Sequence, residues 1–176
     1  MHRLQIAIRA SLVAGLIFPG VQRAAEAAHA HWRAARESEL REVIPARAPV
    51  EKEHIETEFR TASGITDGKG DFVAGVVMIT AGYSAEGKYS HFFLTQVPLK
   101  VGALQLSPGE YVFGWKHAAD ALLVKFYNAE TGKFLGDVTA NRINRAGRIE
   151  SFHIYPPDEK RLIQIGRFGM TYQLGS

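Results

Sequence analysis

The 176-residue chain carries 21 Lys and Arg against 18 Asp and Glu, with 46% hydrophobic and 22% charged residues. That length suits one domain plus an export signal, and the composition is that of a globular protein, not a disordered one. Cysteine is absent, which excludes disulfides, thiol catalysis, cysteine metal sites and a lipid-bearing cysteine.

Residues 1–30 read as a cleaved signal peptide. Arg3 and Arg9 form a positive start, Ala10 to Phe18 a short apolar run ended by Pro19-Gly20, and Ala25-Glu26-Ala27 and Ala28-His29-Ala30 two small-residue cleavage sites. The apolar run is too short to span a bilayer, which takes about 20 residues. Cleavage after Ala30 is expected, with Ala27 as the alternative, and implies a periplasmic or secreted protein. It removes Arg3, Arg9, Arg23 and Glu26 and leaves 18 basic against 17 acidic residues. Nucleic-acid binding needs basic residues clustered on one face, so the near-neutral remainder disfavours it.

Residues 31–50 are expected to form a short helix and a linker. His31 to Ile44 has good helix formers and the pairs Arg33–Glu37 and Glu37–Arg41 at i,i+4. Pro45 ends it, and Pro45 to Val50 should be extended.

Residues 51–176 are expected to be a single antiparallel β domain. Glu51 to Thr61 alternates and suits a polar edge strand. Thr66 to Asp71 is a hairpin turn. Phe72 to Ala81 is the most apolar strand and should be central. Gly82 to Lys88 is a turn. Tyr89 to Val101 is a strand broken at Pro98, and Leu104 to Leu106 a short pairing segment. A three-stranded meander follows: Glu110 to Lys116, Ala121 to Asn128, and a strand from Phe134 to Arg142. Within it Tyr111, Phe113 and Trp115 share one face, as do Leu122, Val124 and Phe126; Tyr127 takes the opposite face. Asn144 to Arg148 is a turn, and Ile149 to Tyr155, Arg161 to Phe168 and Met170 to Leu174 are strands. About eight to ten strands with no helices between them predict an antiparallel sandwich or barrel and argue against parallel βαβ folding.

The run Leu106-Ser107-Pro108-Gly109-Glu110-Tyr111, followed by Asn128-Ala129-Glu130-Thr131-Gly132-Lys133, resembles the turn–strand pattern of exported bacterial β-sandwich proteins that have no assigned activity. The resemblance spans Leu104 to Val138, with Ser107-Pro108 standing where Pro-Ala or Pro-Pro is more usual. It implies an immunoglobulin-like or transthyretin-like sandwich and carries no catalytic residues.

Catalytic signatures are weak. His31, His54, His91, His117 and His153 show no HxH or HExxH spacing, so surface or rim histidines are expected, not a metal site. Ser63, Ser84 and Ser90 lie in or beside turns without a G-x-S-x-G elbow. Adjacency of Ser90 and His91 means little, because neighbouring strand residues point to opposite faces. Glu56, Glu58, Glu110, Asp137 and Glu150 are strand acids with no sign of convergence. No catalytic residue, metal or cofactor is indicated. A half-exposed Trp115 with His117, Tyr127 and His91 is the candidate ligand-binding set. The expected function is a non-enzymatic module that binds a ligand, a glycan or an envelope protein. The alternatives are a lipocalin-like barrel holding an apolar ligand and, less favoured, a small hydrolase.

Overall fold

The computed structural model describes residues 31–80, 82, 87–143 and 149–175. The expected signal peptide, the turn at 144–148, Ala81, Ser84 and most of the turn at 82–88 lie outside them. In chain order the elements are β1 (Arg33–Ala34), α1 (Glu37–Val43), β2 (Arg47–Val50), β3 (Glu53–Thr66), β4 (Phe72–Met78), β5 (His91–Thr95), β6 (Leu99–Val101), β7 (Leu104–Leu106), β8 (Gly109–Ala118), β9 (Ala121–Asn128), β10 (Phe134–Arg142), β11 (Glu150–Ile154), β12 (Leu162–Gly166) and β13 (Phe168–Leu174). Among the described residues the fold is mainly antiparallel β, and α1 is short. The 13 strands found there exceed the expected number because β1, β2 and the β6–β7 hairpin are very short.

The sheet takes the barrel-like arrangement of the two expected. Its main path runs β1-β3-β4-β5-β8-β9-β10-β13-β12-β11, and β11 returns to lie against β3 and β4. The seam between β11 and β3 has no ladder. It is bridged where the Ile154 amide donates to Ser63 Oγ at 2.9 Å. Ser63 is available because β3 carries a wide irregularity: its register with β4 jumps between Glu58 and Ser63. Thr61 Oγ1 accepts the Val77 amide there at 3.0 Å, a side chain standing in for the missing ladder carbonyl.

Strand alternation divides the apolar residues into two cores. The inward set includes Val73, Phe93, Phe113, Val124, Phe126, Phe152, Ile163 and Met170. The outward set on β4, β5 and β8 includes Ala74, Val76, Phe92, Leu94 and Val112, and is covered by Leu40, Ile44, Ala48 and Val50. β4 and β5 are therefore buried on both faces, which is why Phe72 to Met78 reads as a continuous apolar run instead of alternating.

The N-terminal region differs from the expected helix over His31 to Ile44. Trp32 is drawn into the inner core, and Arg33 and Ala34 pair with Thr66 and Ile65. Burial of one large aromatic ring is worth about 1.5–3 kcal/mol, more than the helix propensity of a single turn. The helix begins only after Arg36, whose amide donates to Glu39 Oε2 at 2.7 Å. The Arg33 guanidinium grips both oxygens of the same carboxylate, at 2.9 and 2.6 Å. The proline segment is extended as expected, but Arg47–Val50 is also a strand on β3, with Pro49 tolerated because β2 is an edge.

Two close approaches lock these layers. A side chain on Gly64 would meet Leu40 at 2.9 Å, and one on Gly75 would meet the Phe152 ring and the Phe92 carbonyl at 2.9 Å. The end of the barrel near Trp32, Tyr111 and the β6–β7 hairpin is filled by Leu99, Val101 and Leu106. The opposite end, where β4 and β8 finish and β5, β9 and β13 begin, is less completely filled.

Candidate functional site

At that second end a cavity of about 430 Å³ opens among the strand ends, within the range of small-molecule sites. Its apolar wall is Val77, Trp115, Leu122, Ile149, Ile165 and Phe168; His117, Ser151 and Arg167 supply polar groups, and His91 also lines it.

Register places these side chains. His91 stands opposite Val77 on β4 and Phe113 on β8. Trp115 and His117 follow Phe113 at the two-residue spacing of one strand face, opposite Val124 and Leu122. Phe168 begins β13 opposite Ile165. Its ring meets the His117 imidazole edge-on at 6.1 Å between centroids, with the Arg142 guanidinium 5.9 Å from it.

The expectation of a surface or rim position fails for His91, which is 1% exposed. Its imidazole stacks on Phe113 at 4.7 Å and 13°, with Trp115 and Phe152 at 5.1 and 5.2 Å. Burial among these rings pushes its pKa down to about 3, so the ring is neutral at physiological pH. His91 Nε2 has no hydrogen-bond partner, and it is the single buried side-chain polar atom in that condition among the described residues.

Ser90 and His91 do meet, contrary to the alternation argument: Ser90 Oγ lies 3.0 Å from His91 Nδ1. β5 begins at His91, so Ser90 precedes the pleat and its side chain is not bound to the opposite face. The contact does not make a nucleophile pair. Ser90 is buried and its hydroxyl donates to the Phe113 carbonyl at 3.2 Å, and no carboxylate orients the imidazole among the described hydrogen bonds.

Of the four candidate ligand residues, the structure brings His91, Trp115 and His117 to one cavity and sets Tyr127 apart. Tyr127 belongs to the outer face of β9. It meets Tyr89 edge-on at 5.2 Å and Phe134 at 5.5 Å, beside a smaller groove of about 340 Å³ formed with Gly87, Lys88, Lys116 and Lys125. Tyr89 is itself buried, its hydroxyl donating to Glu51.

The other histidines are scattered. His153 Nδ1 is 3.4 Å from Ser63 Oγ at the seam, and His31 pairs with Asp158 at 3.2 Å on the surface. No group of three or more His, Asp or Glu able to hold a metal occurs among the described residues. Glu58 is paired with Arg60, and Glu56, Glu110 and Asp137 are exposed. The Thr66–Asp71 segment is a hairpin turn, with Asp67 Oδ1 accepting the Lys69 and Asp71 amides. No helix among the described residues is long and apolar enough to cross a membrane.

Sequence reasoning singled out Trp115, His117 and His91 but missed Leu122, Ile165, Arg167 and Phe168. The last three come from the β12–β13 turn, and their position at the same opening depends on β13 folding back onto β10 through Asn141 and Arg142. No protein-family model, no curated protein and no solved structure matches this chain.

Proposed function

We propose that this protein is a non-enzymatic carrier that holds one apolar small molecule in the cavity at the open end of its barrel. The observation that carries the reading is the combination of an apolar cavity of about 430 Å³ with a partnerless buried nitrogen in its wall. Small-molecule sites combine an apolar lining with a few placed polar groups, and Trp115, Leu122, Ile165 and Phe168 with His91 have that composition. The lipocalin-like alternative is thus favoured over a module that recognises glycans or an envelope protein. The signal-like residues 1–30 go with a periplasmic or secreted carrier.

Titration with pyrene tests the pocket. Pyrene has no hydrogen-bonding group, reports an apolar environment through its emission bands, and accepts excitation energy from tryptophan. Saturable binding at one site, lost in Trp115→Ala and retained in Tyr127→Ala, is expected. Non-saturating uptake, or equal binding by both variants, would overturn the reading. Native mass spectrometry of the protein from its own host then identifies the cargo by mass. Terminal sequencing of the same sample, expected to begin at His31 or Ala28, tests export.

A further inference from the structure

Among the described residues His91 is the buried side chain that the fold leaves with an unmatched polar atom, Nε2. Its other ring nitrogen, Nδ1, lies 3.0 Å from Ser90 Oγ, which is also 3.2 Å from the Phe113 carbonyl. That hydroxyl can donate to Nδ1 or accept from it, so the Nδ1 side of the ring is matched in either tautomer. A buried polar atom left without a partner, as Nε2 is, is costly. A lone water is a poor remedy, because an ordered water needs about two to four polar partners, and the ring contacts of His91 are Phe113, Trp115 and Phe152.

We propose that His91 Nε2 is the polar anchor of the cavity and hydrogen-bonds the hydroxyl of an otherwise apolar, uncharged ligand, an alcohol or a phenol, a group that can donate or accept as the ring requires. This rests on the cavity being a ligand site. An ionised carboxylate does not suit the inner position, because burying a charge among the rings of Phe113, Trp115 and Phe152 is costly. An alkane or alkylbenzene fills the space but leaves Nε2 unmatched. Phe113 and Phe152 are buried, whereas Trp115, which also contacts the His91 ring, is only partly so, and for a ligand to reach Nε2, Trp115 has to turn aside.

The test uses 4-butylphenol and butylbenzene, which differ by one hydroxyl, each competing with pyrene on the intact protein. The preference for the phenol over the hydrocarbon should fall about tenfold in His91→Phe, the size of one well-made hydrogen bond. Should His91→Phe not fold, the imidazole 15N signals of the unsubstituted protein decide. The Nε2 resonance should move on adding 4-butylphenol and stay in place with butylbenzene. An unchanged preference in His91→Phe, or a stationary Nε2 resonance, overturns the anchor and leaves the pocket standing if butylbenzene displaces pyrene. Failure of both compounds to displace pyrene overturns the anchor and the pocket together.

Discussion

The Ser63 hydroxyl oxygen accepts the backbone amide of Ile154 across a seam that has no strand ladder, at 2.9 Å. The two residues are 91 positions apart in the chain, so this contact forms only when β11 has been carried back around the barrel to β3. Ser63→Ala leaves the Ile154 amide buried without an acceptor, at a cost of about 1–3 kcal/mol. Urea denaturation should show that loss, and hydrogen exchange should show faster exchange at Ile154 than at Ile163, which stays within the β12–β13 ladder. Equal protection at both amides would mean that the seam is held by other contacts.

Gly75 faces inward beneath Phe152, and a methyl group there would stand 2.9 Å from both that ring and the Phe92 carbonyl. The ring can shift but the carbonyl belongs to the β4–β5 ladder. Gly75→Ala should therefore destabilise by about 1–3 kcal/mol, the usual range for overpacking, despite the higher strand propensity of alanine. Thermal unfolding measures it. A midpoint at or above that of the unsubstituted protein would contradict the packing argument.

Acid stability should be governed by His91 before the carboxylates act. The unfolded chain takes up the proton near 6.5, whereas the folded ring, pushed down to about 3 by burial, does not. Between those values the unfolded state binds more protons, so stability is full above 6.5 and falls as the pH drops toward 3. His153, also held below its ordinary value by burial, acts in the same direction. Glu39, lowered to about 2 mainly by the Arg33 hydrogen bond, keeps its stabilising effect above about 4.5 and loses it only as the pH falls from there toward 2. His91→Phe should flatten the loss between pH 6.5 and 4.5, read from denaturation midpoints across that interval. A slope equal to that of the unsubstituted protein would refute the assignment.

Trp115 and Phe113 lie on the same face of one strand yet should behave differently. Phe113 is fully buried at the meeting of four rings, and Phe113→Ala should cost about 3–5 kcal/mol. Trp115 lines the open cavity and is only partly buried, so Trp115→Ala should cost clearly less while abolishing pyrene binding. Denaturation of both variants, read by circular dichroism, separates the core position from the pocket position. A loss for Trp115→Ala as large as that for Phe113→Ala would move Trp115 into the core.

The inward face of the central meander was legible because period-two alternation is local: Tyr111, Phe113 and Trp115, and Leu122, Val124 and Phe126, all point inward, and Tyr127 points out. The same parity extends to His117. Other features depended on distant partners. The segment His31 to Ala34 has helical composition but is extended, because the inner core claims Trp32. His91 reads like any strand histidine, and its burial follows from Phe113 and Phe152 closing over it.

Sequence by itself determined the mainly antiparallel β class, the turns at Thr66–Asp71 and at the meander, and which residues of each strand share a face. These depend on backbone sterics and on alternation between neighbours. The tertiary structure decided that the sheet curls into a nearly closed barrel, that one end is filled and the other holds a cavity, and that His91 is buried with one nitrogen unmatched. Those outcomes depend on strand order and on contacts such as Ser63 with Ile154 and Gly75 with Phe152. Which distant strands meet is a property of the whole packed chain, and local residue patterns do not encode it.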